Sequence, residues 1–242
     1  MDNRQLLYGL TALAIALGFG SCVVSRGLGQ IRRPEEAITV TGSAKRPIRA
    51  DFVVWRAAVG IQSPSISAAS TELRAEANRV RRFLSTNGVA DSMLTVKPIE
   101  TYAVPEVVAT GRETGRIIAY RLTQQFEIRS ANVDALTALS QKAGDLMAEG
   151  VALSSQPPEY LYTKLADLRV TLIEEATRDA KLRAEAIAKS TGSAVGTVRQ
   201  ARVGVFQITP RFSTEIADYG INDVSAIEKD VTAVVHVTFA LR

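Results

Sequence analysis

Between Asp51 and Gln62 every second residue is apolar: Val53, Trp55, Ala57, Val59 and Ile61 share one parity, and that period of two predicts a strand with one buried face. From Ser65 to Asn87 the period changes. Ile66, Ala69, Leu73, Ala77, Val80 and Leu84 recur at helical spacing, and Gly88 stands where a C-terminal cap is expected. An amphipathic helix packed on a sheet is the reading for this pair of segments.

The same contrast recurs along the chain. Ile38–Gly42 reads as a short strand, and Leu94–Pro105 as a strand interrupted by Pro98, which suits an edge or a bulge. The turn-like "EVVATGRETG" precedes a strand over Arg116–Ser130, so the two neighbouring strands predict an antiparallel hairpin. Asn132–Glu149 carries Val133, Leu136, Leu139, Ala143 and Leu146 on one helical face and ends at Gly150. A short extended piece, "PPEYLYTK", leads into the longest helix, Lys164–Thr191, with Leu165, Leu168, Leu172, Ala176, Ala180, Ala184 and Ile187 along a stripe and Gly192 beyond its end. A strand near Val195–Ile208, a loop to about Lys229 and a final strand Asp230–Leu241 complete the pattern. Strands and helices without regular βαβ repetition predict an α+β fold, a largely antiparallel sheet with packed amphipathic helices. The two helix-bearing halves leave room for two lobes.

Leu6–Val24 breaks the pattern, because it contains no charged residue. As a helix it would span roughly 28 Å, close to the hydrocarbon thickness of a bilayer and longer than the apolar region of most secretory signals. One N-terminal transmembrane anchor over residues 1–25 is the expectation, followed by a linker over 26–37 and a single domain over 38–242. Two alternatives stay open at this stage. Gly18 and Gly20 ahead of Ser21 fit a cleavage site, and "FGSC" is like a bacterial lipobox with Cys22 as the lipid-bearing residue, although Phe19 stands where an aliphatic residue is usual. The positive-inside rule alone would keep Arg26, Arg32 and Arg33 in the cytoplasm, but large domains often translocate against it. The expected location is the inner membrane, single-pass, with the main domain in the periplasm.

Composition narrows the function classes. The chain has 242 residues, is 46% hydrophobic and 22% charged, and carries a net charge of +4. Arg4, Arg26, Arg32 and Arg33 against Asp2 account for +3 of it, so residues 34–242 are nearly neutral. A neutral body lacks the phosphate footprint of a nucleic-acid binder, and no nucleic-acid partner is expected. Cys22 is the single cysteine, which excludes an intramolecular disulfide and a cysteine metal cluster.

Several segments together carry a resemblance. The "ITVTGSA" strand, the helix end "LSTNGVADSMLTVKPIE", the strand "RIIAYRLTQQFEIRS" running into "VDALTALSQKAGDLMAEG", and the helix "EEATRDAKLRAEAIAKSTGSAVGTV" follow one another in an order and spacing similar to the SIMPL-domain family, formerly the unknown-function group DUF541, with its YggE-like bacterial envelope proteins. The likeness covers nearly all of residues 38–242. It implies an exported or envelope-located α+β protein, and it brings no catalytic residues to carry over. "GVFQITPRFSTEIADYGINDVSAIEK" departs from the family pattern.

The residues point to no familiar chemistry. His236 is the only histidine, so a His-based triad or His-rich metal site has no second partner, and alternation sets it among threonines opposite Val235 and Val237. Glu174 and Glu175 point to different helix faces and read as solvated helix charge near Arg178 and Lys181. Asp218 and Asp223 lack the ligand spacing of a calcium loop. No P-loop, nucleophile elbow or G-x-G-x-x-G fingerprint occurs. No cofactor, no metal and no catalytic site is therefore expected. The favoured reading is a membrane-tethered, non-catalytic envelope protein that works by protein binding or self-assembly. An exported enzyme with a non-standard site is the alternative.

The loop Phe206–Lys229 is long for a short-looped domain and rich in large apolar residues: Phe206, Ile208, Phe212, Ile216, Tyr219 and Ile221. Phe206, Phe212 and Tyr219 are the candidate contacts for a second subunit or an envelope partner. The competing reading folds these side chains back onto their own sheet.

Overall fold

The structure, a computed structural model, describes residues 36–242. The anchor expected at Leu6–Val24 and the lipid attachment at Cys22 lie outside the described residues. Among the described residues no helix is long and apolar enough to cross a membrane.

The fold is α+β, with three helices and two antiparallel-rich sheets among the described residues. Strand β1 (Ala37–Arg49) is longer than the short Ile38–Gly42 strand expected. Its inward positions after Val40 are Gly42, Ala44, Arg46 and Ile48, so the apolar alternation fades in sequence although the strand continues; Pro47 fits because β1 is an edge strand. Strand β2 (Phe52–Ser63) follows its sequence pattern, with Val53, Trp55, Ala57, Val59 and Ile61 all buried.

Helix α1 (Ile66–Thr86) starts where Ser65 Oγ accepts from the Ala68 N–H at 3.4 Å. It ends in a Schellman turn: Gly88 takes φ +85°, and the Val89 N–H donates to Leu84 O at 3.0 Å. The interrupted strand is two pieces, β3 (Leu94–Val96) and β4 (Glu100–Val107), both paired antiparallel with β5 (Glu113–Ser130). The hairpin expected between β4 and β5 is present. Helix α2 (Val133–Ala148) repeats the terminal chemistry of α1, with Asn132 Oδ1 accepting from the Ala135 N–H at 3.1 Å and Val151 N–H donating to Leu146 O at 3.0 Å.

Two short strands, β6 (Leu153–Ser155) and β7 (Glu159–Leu161), pair one after the other with β2. Helix α3 (Leu165–Ser190) is followed by β8 (Val195–Val203), β9 (Gln207–Pro210), β10 (Ile221–Asn222) and β11 (Glu228–Leu241). The single strand expected near Val195–Ile208 is thus divided. The Gly204 N–H donates to Val234 O at 2.9 Å, and pairing with β11 resumes at Gln207. Strands β9 and β10 also occupy part of what reads as one loop in sequence.

The chain forms two compact units, neither of them a continuous half. The larger comprises residues 42–179 and 203–235; the described part of the smaller comprises 36–41, 180–202 and 236–242. In the larger unit β5 and β2 are the central strands of a six-stranded antiparallel sheet. Helices α1 and α2 cover one of its faces. Trp55, Phe126, Ile128, Leu73, Leu84 and Leu136 are among the buried residues of that core. Burying each such large apolar side chain stabilises the fold by about 1.5–3 kcal/mol. On the opposite face Arg56 donates to Glu127 at 3.0 Å and to Glu159 at 2.6 Å. That bond holds the buried Glu127 carboxyl below the ordinary glutamate range, outweighing burial, and Arg129 pairs with it as well. A second cluster of the larger unit joins Ile48, Leu168, Leu172, Ile208, Val231 and Ala233.

In the smaller unit Ala180, Ala184 and Ala188 are buried, as are Val40, Val237 and Phe239. Thr39 faces Thr238 and Thr41 faces His236, each pair with side chains 2.9 Å apart.

Candidate contact surface on the loop between β9 and β10

Because β9 and β10 pair in parallel, with Ile221 opposite Gln207 and Asn222 opposite Ile208, the residues 211–220 between them must cross over rather than turn as a hairpin. Three buried or crowded groups fix that crossover, all in the larger unit. Asp230, 4% exposed, accepts from the Phe212 N–H at 3.2 Å and from Lys45 Nζ at 2.9 Å, and lies 3.9 Å from Arg211 Nε. Burial pushes the Asp230 carboxyl up, but Lys45, the Phe212 N–H and Arg211 outweigh it and hold the group below the ordinary aspartate range. Gln207, also buried, donates through Nε2 to Ala217 O at 2.7 Å, while its Oε1 is buried with no partner among the described residues. Gly220 closes the loop at φ +85°; a Cβ there would lie 2.9 Å from Phe206 O, so only glycine fits.

The tip is presented outward at a conformational cost. Phe212 has φ +64°, the only positive φ outside glycine among the described residues, and a bulky residue in that region costs about 1–3 kcal/mol. Its ring is nevertheless 83% exposed, under the Arg211 guanidinium at 5.0 Å. Ile216 is 79% and Tyr219 89% exposed. Among the described residues every other large apolar residue that reaches the surface is 60% exposed or less, so this loop stands apart.

The two readings of the segment therefore divide along it. Ile208 is buried, and Phe206 is half-buried against the Leu168–Val231 cluster with Arg169 over its ring at 5.4 Å. Phe212, Ile216 and Tyr219 face solvent. The structure does not bring Phe206 to the same surface as Phe212 and Tyr219.

Below the loop lies the one deeply buried amine among the described residues, which sequence inspection missed. Lys229 is 2% exposed; its Nζ donates to Tyr160 O at 2.7 Å and to Asp223 O, and sits 3.5 Å from Asp223 Oδ2. Burial pushes the amine down from the ordinary lysine value, and attraction to Asp223 offsets only part of that. Burial pushes the Asp223 carboxyl up, but the Ser225 hydroxyl at 2.6 Å, the Ala226 N–H at 3.0 Å, the Ser225 N–H and the Lys229 charge together outweigh it and hold the group below the ordinary aspartate range. A cavity of about 280 Å³ adjoins this pair, lined by Tyr160, Tyr162, Leu165 and Ile208. The donors of Lys229 all point at protein oxygens, so the amine is a clamp.

The other residues singled out by sequence are scattered. His236 is exposed and its Nδ1 is 2.9 Å from Thr41 Oγ1. Glu174 is exposed, whereas Glu175 is half-buried and paired with Arg46. Asp218 is exposed and apart from the Asp223 turn. Among the described residues no three His, Cys, Asp or Glu side chains converge on a point where a metal ion would sit.

The profile of the family described as "SIMPL: Protein of unknown function (DUF541)" matches residues 38–239. No curated protein matches the chain significantly. Among solved structures, one from Burkholderia cenocepacia, described as a provisional amidohydrolase/peptidase, aligns over 66% of this chain and 36% of its own, with 16% identity and a TM-score of 0.24. At that similarity neither fold nor chemistry passes from it to this chain.

Proposed function

The chain belongs to the SIMPL family, whose function is unknown, and we propose that it is a membrane-tethered, non-catalytic envelope protein that acts by binding a protein partner or a second copy through the tip of the 211–220 loop. One observation carries this reading: three large apolar side chains, 79–89% exposed, sit on a loop that buried Asp230, buried Gln207 and an obligatory glycine hold in place. Single exposed apolar residues are ordinary, but a rigid group of them including two aromatics is the composition of a binding hot spot. Preorganisation matters because a loop already ordered loses little entropy on binding. Tethering rests on the uncharged span Leu6–Val24, and placement outside the cytoplasm on the family's envelope membership as the sequence resemblance implies it.

The double variant Phe212→Ser/Tyr219→Ser tests the contact. Both side chains touch mostly solvent, so thermal stability is expected to hold while the assembly shrinks or a co-purifying partner is lost. A much lower melting temperature with the assembly state unchanged refutes the reading. Topology is tested separately by fusing an export-dependent reporter to Arg242; activity of a cytoplasm-dependent reporter alone refutes the tether's orientation.

A further inference from the structure

Helix α1 distributes its charges unevenly. Glu76 and Arg79 pair at 3.2 Å, and Arg79 donates to Glu149 O at 2.8 Å on the side of α2. On the opposite flank Arg74, Asn78 and Arg81 follow one another at i, i+4 and i+7, hence on one face, and all three are exposed. Arg74 and Arg81 have no carboxylate partner among the described residues. Most other arginines of the larger unit, from Arg46 and Arg49 through Arg56, Arg79, Arg116 and Arg129 to Arg211, are ion-paired.

Arg74 and Arg81, with Ala77 and Asn78 between them, line a groove of about 320 Å³ whose other walls are Ile99 and Gln124. The far wall is fixed in place: Lys97 N–H donates to Gln125 O at 2.9 Å, and Gln124 Nε2 donates to Lys97 O at 3.3 Å. The nearest strand carboxylate, Glu100, is opposite Thr123 in the ladder, whereas Leu122 and Gln124 have the opposite parity and face the helices. Glu100 therefore points to the other side of the sheet, and no acid enters the groove from β4.

We propose that this groove between α1 and the β3–β4 connection is a binding site for a phosphate group. Arg74 and Arg81 stand about 10.5 Å apart along the helix axis, a separation that two long side chains close over Asn78. A carboxylate has two oxygens and is served by one guanidinium fork. A phosphate or phosphomonoester offers three or four, which matches two forks and the Asn78 amide. The inference is independent of the contact loop, which lies on different elements.

The test uses the full chain in nonionic detergent, titrated with inorganic phosphate against chloride at fixed ionic strength, with the melting temperature as readout. A saturable rise is expected for the wild type, with binding at least tenfold weaker in Arg74→Gln/Arg81→Gln. Arg74→Lys/Arg81→Lys should also weaken binding, because it keeps the charge and removes the forks. Arg112→Gln, another exposed arginine without an ion pair among the described residues, should change nothing. Micelles doped with phosphatidic acid distinguish the sources: a rise that the double Gln variant abolishes assigns a lipid headgroup, and a response to free phosphate alone assigns a soluble phosphoester. Equal rises with phosphate and chloride, or a phosphate response that survives Arg74→Gln/Arg81→Gln, would overturn the site.

Discussion

Two regions of the larger unit show apolar side chains to solvent, and they do so differently. The end of the β4–β5 hairpin exposes Tyr102, Val107, Val108, Ile117 and Ile118 by 41–59%, on a two-stranded ladder whose register shifts on both sides of Pro105 and whose side-chain support is the surface set of Glu106 with Arg116 and Thr114. The 211–220 loop exposes fewer side chains more completely, and its supports are buried. Partial exposure is what a two-stranded ribbon gives automatically, since neither face is covered. Full exposure on a strained backbone, held by a desolvated carboxylate, has to be maintained against a conformational preference. Exposure alone therefore does not identify a contact surface; the buried polar groups committed to holding it do.

The glycines of the two regions should separate them most. Gly220 and Gly111 have nearly the same backbone, φ +85° and +81°, but a Cβ meets Phe206 O at the first and open space at the second. Gly220→Ala is expected to cost about 2–4 kcal/mol by denaturant unfolding, and Gly111→Ala about 1–2 kcal/mol, the left-handed strain alone. Equal losses would mean that the loop is no more constrained than the hairpin.

Asp230→Asn comes next, at about 1–3 kcal/mol near neutral pH, through lost charge-assisted hydrogen bonds. The pH dependence gives it a signature. A carboxyl held below its ordinary value contributes stability that is complete above that value, 3.8, and is lost as pH falls through the lower folded value. The deficit of Asp230→Asn against wild type should thus shrink on acidification below about 4. A deficit independent of pH removes the carboxylate from the account of the loop.

Smaller still is the relief expected from Phe212→Gly: a gain under about 1 kcal/mol, accompanied by loss of partner contact. Ile117→Thr on the hairpin should move stability by no more than about 0.5 kcal/mol and leave the contact intact. Loss of contact with Ile117→Thr instead would transfer the binding role to the hairpin. His236→Gln, on an exposed threonine ladder, should be silent within about 0.5 kcal/mol, and loss of function in a folded variant would overturn its structural role.

What was legible in the sequence follows from which signals are local. Helix α1 could be read almost to the residue because its stripe, its Ser65 cap and its Gly88 stop are all nearby in the chain. Strand β2 was equally plain. Strand β1 was cut short because its inward positions hold Gly42 and Ala44, whose burial is a tertiary fact. The parallel pairing of β9 with β10, the desolvation of Asp230 and Lys229, and the wall opposite Arg74 and Arg81 all depend on segments distant in sequence. Charged residues near a predicted loop read as solvated, and nothing local distinguishes Asp230, which is buried, from Asp218, which is exposed.

The Lys229 clamp also closes an edge of the six-stranded sheet. β7 pairs with β2 on one side, and on its other side the Tyr160 N–H donates to Val224 O at 2.7 Å while Tyr160 O accepts from Lys229. Both outward backbone groups of the middle residue are thereby occupied. An incoming strand from a neighbouring chain finds neither a donor nor an acceptor there, so the clamp blocks edge-to-edge aggregation at a margin of the sheet that three residues of ladder would leave open.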